Sequence, residues 1–152
     1  MVEEKGLETL QIWQRSLDFA TKVCREITPT FLKEEKWALI NQTRRSAQSV
    51  PANIAEGYGR FYYQENVRFC YIARGSLEET FSHLTLAKRL GYLPDSIYNK
   101  INADIQELRR MLNGYIAFLK RSKRGANEPG ANRSVREAPI PYITETDEET
   151  NS

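Results

Sequence analysis

Four successive stretches of this chain repeat apolar residues at steps of three and four, a spacing that fits amphipathic helices and little else. The first stretch carries Leu10, Trp13, Leu17, Ala20, Cys24 and Ile27. It stops at Thr28-Pro29, because the residue before a proline avoids helical backbone angles. The second starts near Glu34 and runs through Trp37, Ile40, Thr43, Ala47, Val50 and Ile54. Pro51 lies inside it, where a kink is expected, and Gly57 and Gly59 are expected to close it. The third begins at about Gln64 and follows Phe69, Ile72, Ala73, Ser76, Leu77, Phe81, Leu84, Ala87 and Leu90, with Gly91 as its left-handed stop. The fourth opens after Pro94 with Asp95 or Ser96 as N-cap, and its stripe is Ile97, Ile101, Ile105, Leu108, Leu112, Tyr115 and Leu119. No stretch alternates with period two, so strands are not expected. Short connections favour antiparallel neighbours. The spacing therefore predicts an all-α, antiparallel up-down-up-down four-helix bundle over residues 1–124.

From residue 125 onward the apolar period disappears, which predicts a disordered C-terminal tail over residues 125–152. Pro139-Ile140-Pro141-Tyr142-Ile143 is its one sticky island, readable as a short docking segment. The net charge of +2 divides unevenly: six acids (Glu128, Glu137, Glu145, Asp147, Glu148 and Glu149) and two bases (Arg133 and Arg136) give the tail −4, leaving +6 on the body. A basic body with an acidic tail suggests an anionic partner, although solubility alone also accounts for it.

The 152 residues, 40% hydrophobic and 28% charged, suffice for one globular domain with a real core. Met1-Val2-Glu3-Glu4-Lys5 lacks the apolar run of a signal peptide, and no window approaches the ~18–20 apolar residues of a membrane helix. A cytoplasmic location without membrane contact is the expectation. Cys24 and Cys70 sit in apolar-periodic segments and read as reduced, buried small hydrophobes. With one histidine beside them they are too few for a structural zinc site, so neither metal nor cofactor is expected.

Groups that could converge on a reacting atom are scarce. His83 follows Glu79 by four residues, on one helix face, where a di-iron bundle would need two Glu-x-x-His pairs and further carboxylates. It reads as a surface or interface residue. Ser46, Ser49 and Ser76 have no neighbouring general base and read as small packing residues. Gly57-Tyr58-Gly59-Arg60 follows a helix where a nucleotide fingerprint needs a strand. A non-enzymatic role is expected.

The segment Thr43-Arg44-Arg45-Ser46-Ala47-Gln48-Ser49-Val50-Pro51-Ala52-Asn53-Ile54-Ala55-Glu56-Gly57-Tyr58-Gly59-Arg60 mixes small residues with arginines that need water, a carboxylate or a phosphate. Asn53 is expected to satisfy the carbonyl freed by Pro51, and Glu56 to pair with an arginine of another helix, such as Arg45 or Arg74. The candidate nucleic-acid-binding residues are Arg44, Arg45, Arg60, Arg68, Arg74, Lys88, Arg89, Lys120, Arg121, Lys123 and Arg124. Tyr58, Phe61, Tyr62 and Tyr63 flank Arg60 and are able to stack on unpaired bases or pack in the bundle. Each cation has an equally plain reading as part of a solvated helix face. The basic run after Leu119 also suits the negative end of a helix dipole.

Several of these stretches resemble, in order, the bacterial four-helix bundle proteins encoded in insertions of large-subunit ribosomal RNA genes, the intervening-sequence protein family. The resemblance covers residues 7–120. Leu10-Gln11-Ile12-Trp13-Gln14 and Gln42-Thr43-Arg44-Arg45-Ser46-Ala47 open it. Val50-Pro51-Ala52-Asn53-Ile54-Ala55-Glu56-Gly57-Tyr58-Gly59-Arg60 is its most specific part. Phe69-Cys70-Tyr71-Ile72-Ala73-Arg74-Gly75-Ser76-Leu77-Glu78-Glu79 and Leu86-Ala87-Lys88-Arg89-Leu90-Gly91-Tyr92-Leu93 complete it. Phe61-Tyr62-Tyr63, where a small polar cap is common, and the longer tail depart from the pattern.

The resemblance implies a four-helix protomer assembling into a ring-like homopentamer. It also implies kinship with the accessory variability protein of diversity-generating retroelements, a basic, nucleic-acid-binding partner of a reverse transcriptase. The expected function is a homo-oligomer that binds RNA or an RNA–DNA hybrid through a pooled basic surface, as accessory to a reverse transcriptase or to structured RNA. The competing expectation is a protein–protein adaptor or assembly subunit with no nucleic-acid role.

Overall fold

The computed structural model describes residues 6–123. Arg124 and the segment read as a tail lie outside the described residues. The chain folds as four main helices: α1 (Gln11–Lys22), α2 (Leu39–Tyr58), α3 (Tyr63–Arg89) and α4 (Asp95–Ser122), with no strand among the described residues. Each packs on the next in sequence, α4 closes back on α1, and the α2–α3 contact is the most extensive. The core is a column of fully buried aliphatics, among them Val23, Ile54, Leu77, Leu84, Ile101, Ile105 and Leu112. Burial of each such side chain contributes about 1.5–3 kcal/mol.

On α1 the period was legible and its phase was not. The side chains facing the core are Ile12, Ser16, Phe19, Val23 and Ile27, with Ala20 beside them. Of the predicted stripe, Leu17 is 41% exposed, while Trp13 and Cys24 are only half-buried. Two apolar stripes share this helix, so one of them is left outside. Beyond Lys22 the chain continues through a π-helical turn at Val23–Ile27 and a 3-10 turn at Thr28–Thr30. A second 3-10 turn, Lys33–Trp37, precedes α2, and it leaves Trp37 81% exposed rather than in the stripe.

α2 runs unbroken through the buried Pro51. Gly59 caps it with right-handed angles (φ −71°), while Gly57 lies inside the helix and does not terminate it. A Cβ on Gly57 would sit 2.7 Å from Asn66 Oδ1, 2.9 Å from Phe69 Cβ and 3.0 Å from the Asn66 carbonyl oxygen. The glycine is there so that α2 and α3 can touch. Small residues continue that seam: Thr80 Oγ1 lies 2.8 Å from Ser46 Oγ, and Ser76 Oγ lies 2.9 Å from Ser49 Oγ.

α3 stops where expected. Gly91 takes φ +78°, the Tyr92 N–H donates to the Ala87 carbonyl (2.9 Å) and the Gly91 N–H to that of Lys88 (3.0 Å). α4 differs in detail, since Pro94 is its N-cap and Asp95 already lies in the first turn, so neither Asp95 nor Ser96 caps it. Proline fits there because its carbonyl accepts from Tyr98 (3.0 Å) and the position needs no donor of its own.

Cys70 is buried as predicted, and burial pushes its thiol up to about 12. In the unfolded chain a thiol ionises near its ordinary value of about 8.5. The folded form therefore binds the proton more tightly, and this thiol's contribution to stability is constant below pH 8. Above pH 9 this thiol alone removes roughly 1.4 kcal/mol of stability per pH unit until the folded thiol itself titrates. Urea midpoints measured from pH 7 to 10.5 are expected to show this fall, and Cys70→Ala to flatten it.

Candidate functional site

The segment that looked most like a site is mainly the α2–α3 seam. Asn53 does not reach the carbonyl freed by Pro51, which belongs to Ala47. Its Nδ2 donates within its own turn to the Ser49 carbonyl (2.8 Å) and Ser49 Oγ (2.9 Å). Glu56 pairs with neither Arg45 nor Arg74. It holds Arg60 on the same helical path, Oε1 to Nη2 at 2.8 Å, because a partner four residues away is nearer than any on another helix.

The cations are spread along the bundle. Arg44 and Arg45 begin α2, and Lys88 and Arg89 end α3, so these four lie toward one end. Arg60, Arg68, Lys120, Arg121 and Lys123 lie toward the other, and Arg74 sits close to the middle of α3, nearly two turns past Arg68. At 1.5 Å per residue, Arg44 and Arg60 are about 24 Å apart. One protomer therefore does not gather the candidate residues into one patch.

Their environments also differ. Arg60 rests over Phe69 at 5.3 Å, and Lys88 over Tyr98 at 4.5 Å, 3.9 Å from Asp95. Arg74 donates to Asn113 Oδ1 (3.0 Å) and shares the Tyr71 ring with Lys120, at 4.9 and 5.2 Å. Arg109, absent from the sequence reading, makes a two-pronged pair with Glu78 beneath the Phe81 ring. Among the described residues, every acid of α2–α4 except Glu65 is held by a cation or by His83. Arg44, Arg45, Arg68, Arg89 and Arg121 are exposed and face no carboxylate among those residues.

Around Arg60, Phe61 packs edge-on against Tyr62 (5.2 Å) and Tyr63 is half-buried against the core. His83 is mostly covered, its Nε2 3.4 Å from Glu79 Oε1. Among the described residues no three His, Cys, Asp or Glu side chains come together as a metal-holding group, and no helix is long and apolar enough to cross a membrane.

The two α1 seams contrast. Arg15–Glu107 (3.5 Å) and Lys22–Asp104 (3.2 Å) lace α1 to α4. Between α1 and α2 an open groove of about 480 Å³ is lined by Trp13, Leu17, Cys24, Pro51, Ala52 and Ala55. It is the outer stripe of α1 that lines this groove, and the sequence had assigned that stripe to the core.

A small-residue α2–α3 seam and a surface rich in unmatched cations define a helical bundle protein with a basic exterior. The chain belongs to the 23S rRNA-intervening sequence protein family, whose model matches residues 8–114. It is similar to the crystal structure of a protein of unknown function from the S23 ribosomal protein family of Bacteroides thetaiotaomicron. The two are 27% identical with a TM-score of 0.63, over 69% of this chain and 97% of the other. No curated protein matches the sequence.

Proposed function

We propose that this protein is a non-catalytic, homo-oligomeric bundle that binds RNA or an RNA–DNA hybrid. Its physiological role would be that of accessory to structured RNA or to the reverse transcriptase of a diversity-generating retroelement. The observation that carries the proposal is the charge imbalance on α2–α4, where carboxylates are used up in pairs and exposed arginines are left facing water. The surplus arginines are held by no carboxylate among the described residues, so binding would exchange only their water for phosphate.

Assembly would turn this scattered charge into a field. Copies around a ring, five by family resemblance, multiply the body's +6 and bring basic ends of neighbouring protomers together. Gly75 and Gly114 support such contacts. Both are exposed mid-helix positions where an added Cβ would meet nothing within 4 Å, so no contact inside the protomer requires glycine there. Each costs its helix about 1 kcal/mol relative to alanine, a cost that makes sense if a second backbone comes close.

Recognition would be led by the phosphate backbone and largely blind to sequence. Replacing Lys120, Arg121, Lys123 and Arg124 together with glutamine is expected to weaken RNA binding at least tenfold at 50 mM salt and to flatten its salt dependence. A gel-shift series with wild-type and substituted chains checks this. Equal affinities at every salt concentration would contradict it and favour an adaptor without a nucleic-acid role.

A further inference from the structure

We propose that the open α1–α2 groove is the seat of this chain's own segment Pro139-Ile140-Pro141-Tyr142-Ile143. The groove is apolar along most of its length, and within the protomer nothing among the described residues fills it. Gln48 Nε2 lies 3.6 Å from Cys24 Sγ, which fixes the antiparallel register and puts Trp13 and Ala55 at the opposite end. From Trp13 to Cys24 the helix rises about 16 Å. Five extended residues span about the same length.

The route of the chain sets the direction, and the charge at the Cys24 end agrees with it. Arg25 is the one charged lining residue, and it lies at the Cys24 end. Arg44 stands one turn beyond Gln48 on the same side of α2, toward that end. α4 ends at Ser122, at the Trp13 end of the bundle, so a segment arriving from there enters the groove at Trp13. Its apolar residues then run along the groove, and Glu145, Asp147, Glu148 and Glu149 emerge beside Arg25 and Arg44.

Reach is ample. The fifteen residues between Lys123 and Pro139 have a root-mean-square span of roughly 22 Å, about two helix diameters. An intramolecular segment on such a linker acts at an effective concentration on the order of millimolar, so even weak apolar contacts hold it.

Cys24 is a built-in reporter, because a seated segment covers its thiol while Cys70 stays buried. The test is the rate at which dithiobis-nitrobenzoate modifies Cys24 in the full chain, with the modified site assigned by mass spectrometry. Ile140→Asp with Tyr142→Asp is expected to accelerate modification at least tenfold. A synthetic peptide of residues 137–149 is expected to restore protection to that variant. Equal rates in the two chains would overturn the proposal. Protection that disappears on dilution of the wild-type chain would also overturn it, in favour of a second copy as the occupant.

Discussion

Gly57→Val is expected to unfold about 10 °C below the wild-type chain, a loss of about 3 kcal/mol, when thermal melts are followed by circular dichroism. The reason lies in the α2–α3 contact. A side chain at position 57 meets the Asn66 carbonyl oxygen, part of the α3 backbone, at 3.0 Å, as well as Phe69 Cβ at 2.9 Å. Backbone cannot swing aside as a side-chain tip can, so α3 must move, and with it the Ser46–Thr80 and Ser49–Ser76 contacts farther along. Alanine at the same position gains about 1 kcal/mol of helix propensity, which offsets part of the clash, so its loss is smaller. Gly59→Ala is the control. There the nearest atoms stand at 3.6 and 3.7 Å and φ is −71°, so stability should hold or rise. A Gly57→Val chain that melts with the wild type would mean that α2 and α3 are not packed as described.

Raising monovalent salt from 50 to 200 mM is expected to lower the affinity for base-paired RNA by about a thousandfold, the loss that follows when six or more phosphates are neutralised. The dependence would come from counterions released as arginines meet phosphates, and it would be steep because Arg44, Arg45, Arg68, Arg89 and Arg121 carry charge that no carboxylate among the described residues already holds. Fluorescence anisotropy across a salt series reads the slope directly. A flat response would show that whatever binding occurs does not run through these cations.

Much of the bundle was legible because helical period and punctuation are local properties. Gly91 announced the end of α3, and the Ile101–Ile105–Leu108–Leu112 stripe announced the inner face of α4. Phase is another matter. α1 carries two apolar stripes of equal period, and only the position of α2 decides that Phe19 goes inside while Leu17 remains on the surface. Partners were similarly obscure: the residues of 43–60 announced polar contacts, but whether Glu56 holds Arg60 or Arg74 depends on how far apart the helices stand. The candidate cations could be named one by one from the sequence, whereas their separation into two ends, and the pairing that leaves some of them free, follow from the antiparallel fold. Gly75 and Gly114 gave no sequence signal of their own; they stand out only because nothing lies near them.

Sedimentation velocity of the full chain mixed with a fluorescent, structured RNA at 50 mM salt puts assembly and polyanion binding into one reading. The RNA should travel with a closed multimer of the protein, its mass a small whole-number multiple of the protomer. A lone protomer sedimenting apart from free RNA would contradict the account.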